Sequence, residues 1–228
     1  MDYKCVKMMK KVASVLLICL ISFSGISQSS DLGNWMMYFG NKNLKNGWNW
    51  HHEVQYRNYN FIGDLEQLLL RTGIGYNLTE NNNNLLLGYG FINGQVYSNA
   101  HVDKVEINEH RIYQQFINRH AIGRVNLQHR FRLEERFFED QDLQLRLRYF
   151  LGLTIPINNT SIVEKTFYGS IYNELFLNGE KDYFDRNRLY AGVGYKPNSK
   201  IKFELGYMNQ FFQSSGRDQI NIMMFLNF

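Results

Sequence analysis

LQLRLRYFLGLTI, residues 143–155, alternates along its whole length. Leu143, Leu145, Leu147, Tyr149, Leu151, Leu153 and Ile155 fall on one side, while Gln144, Arg146, Arg148, Gly152 and Thr154 dominate the other. A two-residue period belongs to a β-strand, whose side chains point alternately to opposite faces. Length then decides the kind of strand. About 13 residues exceeds the five or six usual in globular sheets and suits a tilted membrane-crossing strand, which needs roughly 9 to 11.

The neighbouring stretch RVNLQHRFRLEERF, residues 124–137, behaves the same way. Val125, Leu127, Phe131, Leu133 and Phe137 oppose Asn126, Gln128, Arg130, Arg132, Glu134 and Arg136, with His129 the polar member of the apolar row and Glu135 expected near an aqueous end. The pattern recurs in 47–57, where Trp48, Trp50, His52, Val54 and Tyr56 oppose Asn49, His51, Glu53, Gln55 and Arg57. It recurs again in 66–77, 84–92, 187–196 and 200–210, whose polar sides carry Arg71, Arg188 and Glu204 beside several glycines. Residues 106–116 and 167–177 are strand-like without a clear phase. Turn-rich pieces at 79–84, 118–123, 156–161 and 196–200 separate these runs. No helical period is sustained anywhere, and no composition shift marks a second domain.

The first residues stand apart from this pattern. Lys4, Lys7, Lys10 and Lys11 precede an apolar run at 12–23, followed by the small residues Gly25 and Ser27. This is the form of a secretory signal peptide over residues 1–27, leaving one domain over 28–228. The run is shorter than the roughly 18 apolar residues of a spanning helix. Both cysteines, Cys5 and Cys19, belong to the expected signal peptide, so the exported chain has no disulfide to form. Removing four lysines and Asp2 takes the formal charge from +4 to +1, and that balance argues against a nucleic-acid partner.

Two environments produce alternation of this kind. A soluble barrel turns its apolar rows inward, whereas an outer-membrane barrel turns them toward lipid and its charges toward the lumen. Rows this long and this aromatic overfill a small soluble barrel. In an open sheet they expose several hundred Å² of apolar surface to water. Arg130, Arg132, Arg146 and Arg148 on adjacent strands settle the sidedness, because a guanidinium on the lipid face near the midplane costs about 2 to 4 kcal/mol. The C-terminus agrees. Ile220, Ile222, Met224, Leu226 and Phe228 form one alternating row that ends on the aromatic residue, the form in which bacterial outer-membrane barrels present themselves to their insertion machinery.

The segments LGNW (32–35), EHRIYQQF (109–116), HRFRLEERF (129–137), YNELFLN (172–178), RLYAGVGY (188–195) and ELGYMNQ (204–210) resemble a family of small outer-membrane proteins known only as a domain of unknown function. The resemblance spans about Leu32 to Phe228 and implies an outer-membrane β-barrel; it carries over no catalytic residue. Eleven candidate strands are countable, starting with GNWMMYFG at 33–40. A single-chain bacterial barrel has an even number, with both termini in the periplasm. The expectation is therefore an all-β, antiparallel, up-and-down barrel of ten strands, or twelve, with residues 33–40 at the rim or in the mouth.

Function has to be sought in the lumen. Arg57, Arg71, Arg111, Arg130, Arg132, Arg136, Arg146, Arg148 and Arg188 face Glu53, Glu109, Glu134, Glu174 and Glu204 across a narrow interior. Mixed charge of this density is expected to form a rigid, largely filled ion-pair network in a non-enzymatic structural or binding barrel. The alternatives are a narrow pore for small polar or anionic solutes and an outer-membrane lipid hydrolase or acyltransferase. Catalysis has little behind it: serines are scarce in the strands, Ser170 lies in a segment of open phase, and there is no nucleophile elbow. His51 and His52 are adjacent and point to opposite faces, while His101, His110 and His120 lack ligand spacing, so no metal or cofactor is expected. The GYG and GVGY glycines lie within strands and read as room for aromatic neighbours. The expected partners are outer-membrane lipid, the insertion machinery through Phe228, and a small polar or anionic solute.

The sidedness is open to a matched test on one strand. Leu147→Arg should impair folding into lipid vesicles far more than Arg146→Leu, with a deficit of about 2 to 4 kcal/mol for the guanidinium on the lipid face. Equal or reversed effects would turn the rows inward and make the chain a soluble barrel.

Overall fold

The computed structural model describes residues 32–79, 82–98, 103–139, 141–180 and 182–228. The expected signal peptide lies outside them. Eleven strands close into one barrel: β1 (Gly33–Asn43), β2 (Trp48–Asn58), β3 (Leu65–Asn77), β4 (Asn83–Tyr97), β5 (Lys104–Ile122), β6 (Val125–Phe138), β7 (Gln141–Pro156), β8 (Thr166–Asn178), β9 (Phe184–Lys196), β10 (Ile201–Phe211) and β11 (Gly216–Asn227). Consecutive strands pair antiparallel from β1 to β11, with a 3-10 turn at Lys45–Gly47 between the first two.

The expectation of ten or twelve strands is corrected to eleven. Strict antiparallel alternation around a ring closes only with an even number, so an odd barrel needs one parallel pair. Here β1 and β11 supply it, in register from Gly33↔Gln219 to Asn41↔Asn227. Residues 33–40 are accordingly part of the wall and not a plug at the rim. The parallel seam also puts Gly33 and Phe228 at opposite rims, which corrects the placement of both ends on one side. Gly33 shares its rim, the N-rim, with the β2–β3, β4–β5, β6–β7, β8–β9 and β10–β11 connections. Phe228 lies at the C-rim, where its N–H donates to the Asn41 carbonyl at 3.0 Å and its own carbonyl accepts from the Asn43 N–H at 2.9 Å. These bonds bind the last residue into the seam.

Sidedness is as the alternation requires. Leu147 is 53% exposed on the outer face while Arg146 and Arg148 on either side of it are buried. Phe131, Leu87, Val193 and Leu205 likewise stand outward. The two segments of open phase now have one: Glu109, Arg111, Tyr113 and Gln115 turn inward on β5, and Tyr168, Ser170, Glu174 and Phe176 turn inward on β8. Glu135 is on the outer face, accepting from Gln114 Nε2 at 3.2 Å three residues before β6 ends.

The lumen also contains an apolar core, which the expectation of a lumen filled largely by ion pairs did not include. Trp35, Met37, Tyr190, Met208 and Met223 pack together with Phe39, Tyr172 and Phe225 against them. This explains why β1 shows no sidedness in sequence: Met36 and Tyr38 face out, Trp35 and Met37 face in, and all are apolar. Strand glycines make the aromatic packing possible. A Cβ on Gly88 would lie 2.1 Å from the ring of Tyr113, its directly opposed partner on β5, and one on Gly194 would lie 2.2 Å from the ring of Tyr168. Only a residue without a side chain lets these rings lie flat on the neighbouring strand.

Gly88→Val should therefore destabilise the barrel by about 1 to 3 kcal/mol through overpacking, measured by urea unfolding in detergent micelles. Adding Tyr113→Ala should recover part of the loss, since it removes the overlapping ring. Strict additivity of the two changes would show that the contact is not the cause.

Candidate functional site: the charged lumen

Lumenal positions on β5 to β9 bring the charged side chains into one lattice. Glu134 is its centre, fully buried, with Arg148 Nη1 at 2.6 Å, Arg146 Nη2 at 2.7 Å, and Arg111 and Arg132 each at 3.4 Å. Register accounts for the need. Arg132 is directly opposite Arg148, and Arg111 is directly opposite Arg136. Like charges at opposed positions repel, so a carboxylate has to stand between them. Glu134 does so for the first pair. Glu109 does so for the second, with Arg111 Nη2 at 2.6 Å and Arg136 Nε at 2.8 Å. Glu174 on β8 takes Arg148 at 2.5 Å and Arg130 at 2.7 Å, with Arg188 at 3.9 Å. A separate pair on β2 and β3 joins Glu53 to Arg71 at 2.7 Å, with His51 at 3.4 Å from the same carboxylate.

Aromatic rings share the load of the guanidiniums. Arg146, Arg148, Arg186 and Arg188 all lie within 6 Å of the centroid of the buried Phe176 ring, and Arg132 stacks on Tyr113 at 4.4 Å. A ring face attracts a cation through its quadrupole, an interaction that strengthens where water is excluded.

All fourteen charged residues anticipated for the lumen point inward, though not into one site. Arg57 stands apart from every glutamate of the lattice and bonds to Gln55 and Gln67 while stacking on Trp35 at 3.7 Å. Glu204 is paired by phenols, accepting from Tyr168 Oη at 2.9 Å and Tyr190 Oη at 3.5 Å. Sequence reasoning did not single out Trp35, Tyr113, Tyr168, Phe176, Tyr190, Gln210 or Gln219. The signal available for the tyrosines was the row of glycines they lie upon.

A second polar cluster closes the N-rim. Asp64 accepts from Tyr97 Oη at 2.8 Å and pairs with Lys104, whose ammonium also reaches the Leu65 carbonyl at 2.6 Å. Lys104 and Arg217 lie over the Tyr59 ring. Burial raises the Asp64 carboxyl, but the bonds from Lys104 and Tyr97 outweigh it and hold the group below its ordinary range.

On the outer wall His52 lies flat over Gly40 among Tyr38, Trp50 and Phe228. His51 faces the lumen, so the two adjacent imidazoles are on opposite sides of the sheet. His129 Nδ1 is 2.9 Å from Tyr149 Oη, and its ring stacks on His120. No serine is hydrogen-bonded to any of these histidines among the described residues. Phe228, the anticipated insertion signal, projects outward at the C-rim beside Lys42.

A family model described as "Protein of unknown function (DUF2490)" matches residues 32–221. The chain belongs to this family. No curated protein matches it. Among solved structures, an in-vitro folded OmpT, an outer membrane protein of Vibrio cholerae in its trimer form, is similar at 12% identity and a TM-score of 0.41. That alignment covers 75% of this chain and 61% of the other, so the chain spans less than two thirds of the length of that protein. The DUF2490 barrel is thus placed by family, and its chemistry has to be read from its own lumen.

Glu134→Gln tests the centre of the lattice. It leaves Arg132 without any carboxylate and takes from Arg111, Arg146 and Arg148 one of their two, and should cost about 3 to 5 kcal/mol of stability, because an unpaired buried charge is far worse than no pair. Urea unfolding of the refolded barrel measures it. A loss below about 1 kcal/mol, the scale of an exposed pair, would mean that water fills this part of the lumen.

Proposed function

We propose that this DUF2490 protein is an integral barrel of the bacterial outer membrane with a non-enzymatic, structural or binding role, its lumen filled by its own charged and aromatic side chains. One observation carries the reading: apolar rows face out on strand after strand while the arginines between them are buried inside. In water that surface is a liability; in a bilayer it is what the solvent requires. The C-rim adds an outward girdle of Trp48, Tyr76, Phe167, Phe203 and Phe228, of the kind that sits at a membrane interface. Trp48 and Tyr76 meet at 5.1 Å within it. Phe228, tied into the seam, is the residue offered to the insertion machinery.

The filled interior rests on the full burial of Glu134, Tyr113, Tyr168, Tyr190, Met208 and Gln219. A second reading, a narrow path for small anionic solutes, is favoured by the excess of arginine over glutamate on the lumenal faces. The lipid-enzyme reading would use His129, whose partners are Tyr149 and His120, an arrangement that supplies no nucleophile of the usual hydrolase kind.

Two measurements test the proposal. Unheated and boiled samples should migrate differently on a denaturing gel, because closed strand bonding resists detergent; a protein soluble without detergent, or one with a helical circular-dichroism spectrum, overturns the membrane assignment. In a planar bilayer the filled lumen predicts no stable openings. Regular unitary conductance with anion preference would replace it with the pore reading, and altered lipid species on expression in an outer membrane would replace it with the enzyme.

A further inference from the structure

Charge is not balanced evenly around the lumen. On β5 to β8 each arginine of the lattice touches a carboxylate. On the opposite side, just inside the N-rim, two do not have one of their own. Arg57 is buried and gives Nε and Nη2 to Gln55 Oε1 at 3.0 and 2.6 Å and Nη1 to Gln67 Oε1 at 2.8 Å, all neutral acceptors. No carboxylate pairs with it among the described residues. Arg188 gives Nε to Gln210 Oε1 at 2.8 Å and has only a long ion pair, Nη1 to Glu174 Oε2 at 3.9 Å, while Arg130 and Arg148 hold the other oxygen of that carboxylate. Both guanidiniums lie over the same indole, Trp35, at 3.7 and 4.9 Å from the ring centroid. Two like charges thus converge on one ring in a buried place, where an unanswered charge is costly.

The surrounding side chains leave two N–H donors unmet beside Trp35, and one acceptor, Asn221 Oδ1, on the paired position of β11. Arginine keeps its protons, so Gln210 must present oxygen to Arg188, and its nitrogen then donates to Gln219 Oε1 at 3.1 Å. This leaves Gln219 Nε2 buried and without a partner. Trp35 Nε1, also buried, has none either. A carboxylate at this rim, Glu66, pairs through Oε1 with Arg217 at 2.5 Å, its Oε2 being buried without a partner. The corner formed by β1, β2, β9, β10 and β11 therefore holds one buried cation without a carboxylate, Arg57, a second with only a long ion pair, Arg188, and two unmet N–H donors beside one unmet acceptor.

We propose that this corner binds a small oxyanion of the phosphate, sulfate or carboxylate class, held by Arg57 and Arg188 against Trp35. The anion supplies the missing charge, accepts forked bonds from the guanidiniums and gives the indole and Gln219 nitrogens an acceptor. Recognition is by charge and donor geometry, so neutral solutes of similar size do not compete. The site rests on the reading of the lumen as charged and inward-facing, but not on whether the barrel conducts, because binding is measured apart from conductance.

The experiment uses the refolded full barrel in detergent with Trp48→Phe and Trp50→Phe, both on the outer wall, which leaves Trp35 as the reporter. Inorganic phosphate added at constant ionic strength should change Trp35 emission saturably and protect it from quenching by iodide. Arg57→Gln or Arg188→Gln should weaken phosphate binding by about tenfold or more, the scale of one lost charged hydrogen bond. Arg57→Lys, which keeps the charge but not the fork, should fall between. Lys200→Gln in the C-rim turn should leave the titration unchanged. The heat-induced gel shift confirms that each variant is folded. A folded reporter protein with no saturable response, or a response that persists in the double variant Arg57→Gln/Arg188→Gln, overturns the site; the protection from iodide requires neither arginine to be changed, so a misfolded variant does not spare the proposal. Loss of the gel shift in the reporter protein itself would instead count against the membrane-barrel reading.

Discussion

A single carboxylate, Glu134, makes the charged half of this barrel tolerable. It stands among Arg111, Arg132, Arg146 and Arg148, which three adjacent strands bring to the same depth because their registers place arginine opposite arginine. Arginine cannot discharge by losing a proton, and outward rotation would put it on the apolar face. The guanidiniums must therefore be answered inside by carboxylates or by aromatic faces, and the structure uses both, Glu109, Glu134 and Glu174 for the first and Tyr113 and Phe176 for the second. With the outer face given over to apolar side chains, the lumen becomes the protein's polar core.

That core is divided. Around β5 to β8 it is ionic; toward β9, β10, β11 and β1 it is aromatic and sulfur-rich, built from Trp35, Tyr190, Met208 and Met223. The parallel seam belongs to the second half. Its strands offer apolar side chains inward as well as outward, so the closure is backed by close packing on the lumenal side and not by ion pairs. Where the halves meet, Arg57 and Arg188 approach Trp35, and the supply of carboxylates runs out. The proposed anion site is a consequence of that boundary.

How much of this was legible depended on whether the two faces of a strand differ. On β6 and β7 an arginine row opposes an apolar row, and the sequence alone indicated the strands, their sidedness and the lumenal position of Arg130, Arg132, Glu134, Arg146 and Arg148. β5 and β8 were ambiguous because their inward faces mix charge with Tyr113, Tyr168 and Phe176. β1 was assigned to the rim because eleven candidate strands had to give an even number and 33–40 was the short one; with Trp35 and Met37 inward beside outward Met36 and Tyr38, it had no alternation to argue otherwise.

By itself the sequence determined long strands with apolar rows on one face and charge on the other, because the two-residue period separates the two kinds of side chain on the arginine strands. The partner of each ion, the division of the lumen and the strand number were decided only in three dimensions. Ion pairing depends on inter-strand register, which places Glu134 opposite Arg146 and Arg132 opposite Arg148 and has no signature within one strand. Closure with eleven strands depends on β1 lying parallel to β11, a contact between the two ends of the fold that no local pattern encodes.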